Sequence, residues 1–419
     1  MKHVYTIIIL ILLVPFNSKA QVADYAMEVM AELSDTAYHG RGYYEQGDLK
    51  AARYIASEYD KHGLTQWNST WFQPYSFNVN TFQSDNRLEV NGKRLAPGTD
   101  YVLRSYSSGL EGDYTIHLVD TADFDEQEAI DKLKALPADV MPVCDFGFAR
   151  QHRNFYKHLY TTGSKGCLLL WDEPLKFYKA YSSRLYPATI AWVSYDNWPE
   201  SAKTLSIDID NHMIDDYETQ NVIGYIEGSE TPDEWVVFTA HYDHLGMFGR
   251  DTWFPGANDN ASGVAMLLNV AKHYKDNPPA KSLAFVAVSG EECGLLGSKH
   301  YVENPVFPLE DIDLVINLDM IADNGDSLYV QFNEPAEEDF NLIKTYALEK
   351  NYFKGFNRDT LSPHSDHYPF VEKDVPAVFF STHGDMHPHY HTPLDDMEHI
   401  TTEKFVLIFD MIRQYLDAS

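Results

Sequence analysis

The chain has 419 residues, 63 of them acidic and 32 basic, and a formal net charge of −31 with histidine neutral. Such a surface excludes nucleic-acid binding as the main task, because phosphate backbones need clustered Lys and Arg. The ordinary composition, with 28 Tyr and 23 Phe, excludes a disordered chain, and the length calls for one large domain with an insertion or for two domains.

Residues 1–20 read as a secretory signal. Lys2 and His3 precede an apolar run from Val4 to Phe16, shorter than the ~20 residues a membrane helix needs. Ser18-Lys19-Ala20 ends in a small residue, so cleavage is expected before Gln21, with a secreted or periplasmic product and no stable membrane insertion afterwards. Cys144, Cys167 and Cys293 are odd in number and do not form a disulfide framework. A Cys144–Cys167 pair and two free thiols both stay open.

Residues 21–63 read as helical. Asp48 is expected to cap a helix in which Leu49, Ala52, Ile55, Ala56 and Tyr59 recur at helical spacing, and Gly63 to end it. Residues 70–120 read as extended. Residues 95–212 form a candidate insertion of strand-like runs (Tyr114 to Val119, Cys167 to Trp171, Thr189 to Val193) around a helical stretch near Glu126 to Leu136. It carries no paired acidic or histidine motif, and its Phe146, Phe148, Tyr156, Tyr160, Tyr178 and Tyr181 read as core or as the lining of a groove.

From Asn221 strands and helices alternate. Strands are predicted at 221–226, 235–241, 283–289, 313–319 and 376–381, and helices at 261–275, 295–302, 337–350 and 402–416. The pattern predicts an α/β fold, with a mixed, mostly parallel central sheet and helices on both faces. Residues 21–94 and 213–419 would form the larger domain and 95–212 a smaller, β-rich inserted one. Ligands in such sheets bind beyond the carboxyl ends of the strands. His241, Glu291, Glu292 and Asp319 all sit at predicted carboxyl ends.

In His241-Tyr242-Asp243, residues two apart on a strand share a face. His241 is therefore a candidate metal ligand, with Asp243 accepting its other ring N–H. Asp259, in Gly256-Ala257-Asn258-Asp259-Asn260-Ala261-Ser262-Gly263, either caps the following helix or bridges two metal ions. Glu291 and Glu292 would repel unless something positive holds them; one suits a metal and the other a proton. Asn317-Leu318-Asp319-Met320 ends an apolar strand in one acid, while Asp323 and Asp326 beyond it read as solvated. The tract from His383 to Pro393 offers several histidines, of which one is expected to be an ordered ligand.

Taken in order, these five motifs, the last being Tyr390-His391-Thr392-Pro393, resemble peptidase family M28, the co-catalytic zinc peptidases. The resemblance is close from Asn221 to Ile400 and looser over 21–85, and the insertion resembles a protease-associated module. It implies two zinc ions, one on His241, Asp259 and Asp319, the other on Asp259, Glu292 and His391, with Asp259 shared. It further implies Glu291 as general base, Asp243 as partner of His241, Tyr390 as a donor to the oxyanion, and a cis peptide after Asp259. The expected activity is exopeptidase action on peptides, first as an aminopeptidase. The alternatives are a carboxypeptidase using one of Arg41, Arg104, Arg150, Arg153, Arg184, Arg250 or Arg358, a glutaminyl cyclase, and a non-catalytic binding relative.

Overall fold

The computed structural model describes residues 19–122, 124–172, 175–177, 182–382 and 387–418. Residues 1–18 of the expected signal, Tyr178, Tyr181 and His383 lie outside the described residues.

The main sheet has nine strands. Its centre is four parallel strands in the order Lys281–Val288, Thr231–His241, Ile312–Leu318 and Ala377–Ser381. These are continuous apolar runs because both faces are covered. Along Thr231–His241 the side chains alternate between two cores: Val236, Phe238 and Ala240 face one, Val237 the other. The first core lies under the helices Lys19–Leu33, Gly47–Lys61, Gly263–Tyr274 and Glu403–Ala418; the second includes Tyr301, Val302 and Phe370 from the helices Leu296–Glu303 and Tyr368–Val371. Ser327–Phe332 and Gly355–Arg358 extend one edge of the sheet. No described helix is long and apolar enough to cross a membrane.

The helix Gly47–Lys61 buries Ala51, Ala52, Ile55 and Tyr59 and ends at Gly63, whose φ of 67° lets Leu64 N donate to the Tyr59 carbonyl. Asp48 does not cap it. The N-cap is Gln46, and Asp48 is fully buried in the first turn, accepting from Tyr217 Oη at 2.6 Å and Thr219 Oγ1 at 2.7 Å. It ties the helix to the strand His212–Ile226, and burial pushes its pKa up to about 7 despite those bonds.

That strand and Phe72–Thr81 form a long antiparallel ribbon leading to a second sheet of eight strands. The second sheet runs from Arg87–Val90 to Thr204–Ile209 in sequence, so it opens before residue 95. Phe146, Phe148, Tyr156 and Tyr160 pack against its core, which also takes Leu245, Phe248 and Phe254 from the main body. Cys144 and Cys167 are buried free thiols within it.

Candidate active site

The parallel strands deliver their carboxyl ends to one place. Thr231–His241 ends in His241; Lys281–Val288 runs through Gly290, at φ 70°, into Glu291 and Glu292; Ile312–Leu318 runs into Asp319. The loop carrying Asp259 and the turn carrying His391 complete the cluster. His241 Nε2 lies 3.3 Å from Asp259 Oδ1 and 3.5 Å from Asp319 Oδ1. His391 Nε2 lies 3.1 Å from Asp259 Oδ2 and 3.3 Å from Glu292 Oε1. The two oxygens of Asp259 thus serve two neighbouring pockets, and the Asp259–Asn260 peptide is cis.

These residues fit divalent cations. Imidazole and carboxylate are the donors zinc takes, and ligand atoms ~3.3 Å apart suit bonds of ~2.0–2.2 Å in a tetrahedron. Asp319 Oδ1 is buried without a hydrogen-bond partner. The charge balance agrees. Burial opposes a charge on His391, yet Glu292 and Asp259 push its pKa up to about 10. Burial likewise opposes a charge on His241, while Asp319, Glu291 and Asp259 hold it well above the usual imidazole value.

Glu291 and Glu292 are adjacent and pushed apart. Burial would raise Glu292, but the His391 and His244 imidazoles bring it down to about 2. Glu291 is held well above the ordinary carboxylate value by burial, then by Glu292, Asp366 and Asp319, against the pull of His241. Environments that separate two neighbouring acids in this way assign one to hold charge and the other to carry a proton.

Asp243 differs from the expectation. His241 Nδ1 lies 3.1 Å from the Asp243 carbonyl oxygen and 3.8 Å from its carboxylate, because the chain leaves the strand at His241 and the same-face rule ends there. The Asp243 carboxylate accepts instead from Tyr43 Oη at 2.9 Å and from the Glu291 backbone N–H at 3.2 Å. It positions the turn that carries Glu291.

A cavity of about 470 Å³ opens beside the cluster, lined by Glu291, Asp319, Tyr329, Asp359, Phe379 and Tyr390 among others. The Tyr390 ring stacks on His391 at 3.8 Å. Burial, then Asp259 and Glu292, hold its pKa well above the usual phenol value, so its O–H stays a donor. The second sheet's region also reaches the site, where Phe177 N donates to the His391 carbonyl at 3.1 Å.

Several residues around the site carried no motif. Arg41 is fully buried and donates to the carbonyls of Leu33, Tyr242, Pro255, Gly256 and Asp259; it braces the fold and does not face the cavity. The Asp395 carboxylate accepts the N–H groups of Asn258 and Asp259 at 2.9 and 3.0 Å. Asp323, expected to be solvated, is buried with its Oδ2 3.2 Å from His387 Nδ1. His387 Nε2 in turn lies 3.6 Å from Asp395. Asp326 is exposed and pairs with Lys354, as a solvated acid would. His244 is buried against Glu292. The one sequence signal among them was the acid four residues after His391.

Residues 221–416 match the profile of peptidase family M28. Aminopeptidase YwaD of Bacillus subtilis is 33% identical over 204 residues, covering 46% of this chain and 43% of that protein. A glutamate carboxypeptidase 2 homolog of Caenorhabditis elegans is 31% identical over 208 residues, covering 41% of this chain and 26% of that one. These matches therefore span less than half the length of either relative. In fold, 93% of the chain superposes on 94% of BSAP, a zinc aminopeptidase from Bacillus subtilis, with a TM-score of 0.68 at 21% identity. An aminopeptidase from an Aneurinibacillus strain gives 0.64 at 19% identity, with 95% of each chain covered. The strand-end cluster, the two-sided Asp259 and the profile match lead to one conclusion: residues 221–416 form a metallopeptidase domain similar to family M28.

Proposed function

We propose that the chain is an exported zinc-dependent aminopeptidase that removes N-terminal residues from peptides. The observation that carries it is the Asp259 carboxylate, with one oxygen toward His241 and the other toward His391, beside a cavity that Glu291 lines. His241, Asp259 and Asp319 would hold one ion, and Asp259, Glu292 and His391 the other. Zinc, when bound there, supplies an acidified water and Lewis-acid polarisation of the scissile carbonyl.

Glu291 accepts the proton of the attacking water and returns it to the leaving amine. Asp243 and Tyr43 hold the Glu291 turn in place. Tyr390 donates its O–H to the developing oxyanion. Asp359 also lines the cavity, and a carboxylate there favours a free amino group over a carboxylate. The names of YwaD and BSAP support the same choice. In this reading residues 1–20 direct export, and the inserted module over roughly residues 95–212 frames the substrate entrance.

The test is mass-spectrometric digestion of peptides with free, N-acetylated and C-amidated ends, with and without a chelator. Chelator-sensitive loss of single N-terminal residues, blocked by acetylation, is expected. Loss from the other end, blocked by amidation, would make the enzyme a carboxypeptidase. Cyclisation of N-terminal Gln, or no reaction at all, would move it to a cyclase or a binding protein.

A further inference from the structure

His244 belongs to none of the roles above, yet it is fully buried against the pocket of Glu292 and His391. Its Nδ1 lies 3.0 Å from Glu292 Oε1 and 3.8 Å from Asp259 Oδ2, and its ring meets that of His391 edge-on at 5.9 Å. The surroundings are shaped to admit it. His244 N donates to the Arg41 carbonyl at 3.3 Å. A Cβ on Gly256 would stand 2.5 Å from His244 Cδ2, so the loop before Asp259 leaves room for this ring only because residue 256 is glycine.

Two chemistries suit an imidazole in this place. A bare Nδ1 would ligate the ion directly, or an Nδ1–H would hold Glu292. The second ring nitrogen decides between them. Nε2 is buried with no hydrogen-bond partner. Were Nδ1 the bare ligand, the proton would sit on Nε2 as an orphaned buried donor, which costs ~1–3 kcal/mol. With the proton on Nδ1, Nε2 is only an unused lone pair, a milder loss. Glu292 Oε1 has two lone pairs, one for His244 and one for the pocket it shares with His391 and Asp259.

We propose that His244 is a positioning residue. Its Nδ1–H donates to Glu292 Oε1 and fixes the direction in which that carboxylate faces an ion, so the two metal positions differ in how firmly their ligands are held. This rests on the metallopeptidase reading above.

The experiment is a titration of the metal-free chain with Zn²⁺ against a competing chelator, for the parent, His244→Ala and His244→Asn. Asn is chosen because its amide N–H occupies the place of Nδ1–H. The parent should bind two ions. In His244→Ala one of the two should bind ~10–100-fold more weakly, the range for loss of a group that orients a ligand, and the other should be unchanged. His244→Asn should restore most of the affinity, and its Co²⁺-loaded absorption spectrum should match the parent's, since no ligand has been removed. Parental affinity for both ions in His244→Ala would overturn the proposal, as would equal weakening of both. Failure of Asn to rescue, or a changed Co²⁺ spectrum in that variant, would overturn it in favour of direct ligation. A parent that binds no Zn²⁺ would instead sink the proposed function, before any variant is compared.

Discussion

The guanidinium of Arg41 reaches the backbone of Asp259, with Nη2 3.1 Å from its carbonyl oxygen, while the carboxylate of the same residue faces His241 with one oxygen and His391 with the other. Arg41 thereby ties Asp259 to Leu33, at the end of the first helix, and to Tyr242, just past a central strand. Gly256 makes the approach possible: its φ is 61°, and a Cβ there would stand 2.5 Å from Arg41 Nη2 and 2.2 Å from the Asp259 oxygen.

Arg41→Met should therefore strand five buried carbonyl groups. We expect a loss of at least ~3 kcal/mol in urea unfolding, the scale for breaking a buried hydrogen-bonded charge network, together with loss of bound zinc. Arg41→Lys should recover little, because an ammonium cannot reproduce the fork. A change under ~1 kcal/mol, within the range of ordinary surface substitutions, would show that the loop does not depend on Arg41.

Glu291→Gln removes the proposed proton carrier but no proposed ligand. Turnover should fall at least ~10²-fold, the low end for loss of a general base, with zinc content kept at the parental level. Near-normal turnover would remove Glu291 from its role.

Tyr43→Phe deletes the donor to Asp243 Oδ2 and leaves a buried carboxylate short of a partner. Burial already pushes the Asp243 pKa up to about 6. The variant should lose ~1–3 kcal/mol of stability, read from its urea midpoint. An unchanged midpoint would mean that Asp243 draws its support elsewhere.

Away from the site, Glu58 sets an acid limit. Burial would raise its pKa, but bonds from His62, Tyr25 and Lys61 bring it down to about 2. A depressed carboxylate contributes stability above its unfolded value of ~4.3, and that contribution is lost as pH falls through about 2. Glu58→Gln should melt below the parent at pH 7, and the gap should shrink below pH ~4.3. A gap independent of pH would show that the charge on Glu58 is not what stabilises the helix.

Much of this architecture was legible because buried parallel strands read as unbroken apolar runs, and an acid or histidine ending such a run has few structural excuses. Val236 to His241, Leu283 to Glu292 and Ile316 to Asp319 all follow that logic. The edge strands Ser327–Phe332 and Gly355–Arg358 did not, because they are partly exposed and carry no continuous run. Asp48 and Asp323 looked like ordinary polar residues, since burial at a helix start or beyond a strand end depends on partners far away in sequence. Tyr217 buries one and His387 the other. Arg41 is the extreme case: its partners Pro255 and Asp259 lie over 200 residues away, and a lone Arg between two glycines announces none of them. Asp243 was placed beside His241 correctly but given the wrong bond, because the strand ends at His241, two residues before Asp243.

In the proposed site one carboxylate, Asp259, is shared by two ions. Anomalous scattering from crystals of the zinc-loaded chain, collected on either side of the zinc absorption edge, tests it directly. Two zinc peaks are expected, one among His241, Asp259 and Asp319 and one among Asp259, Glu292 and His391. A single peak, or two peaks of which only one adjoins Asp259, would contradict it.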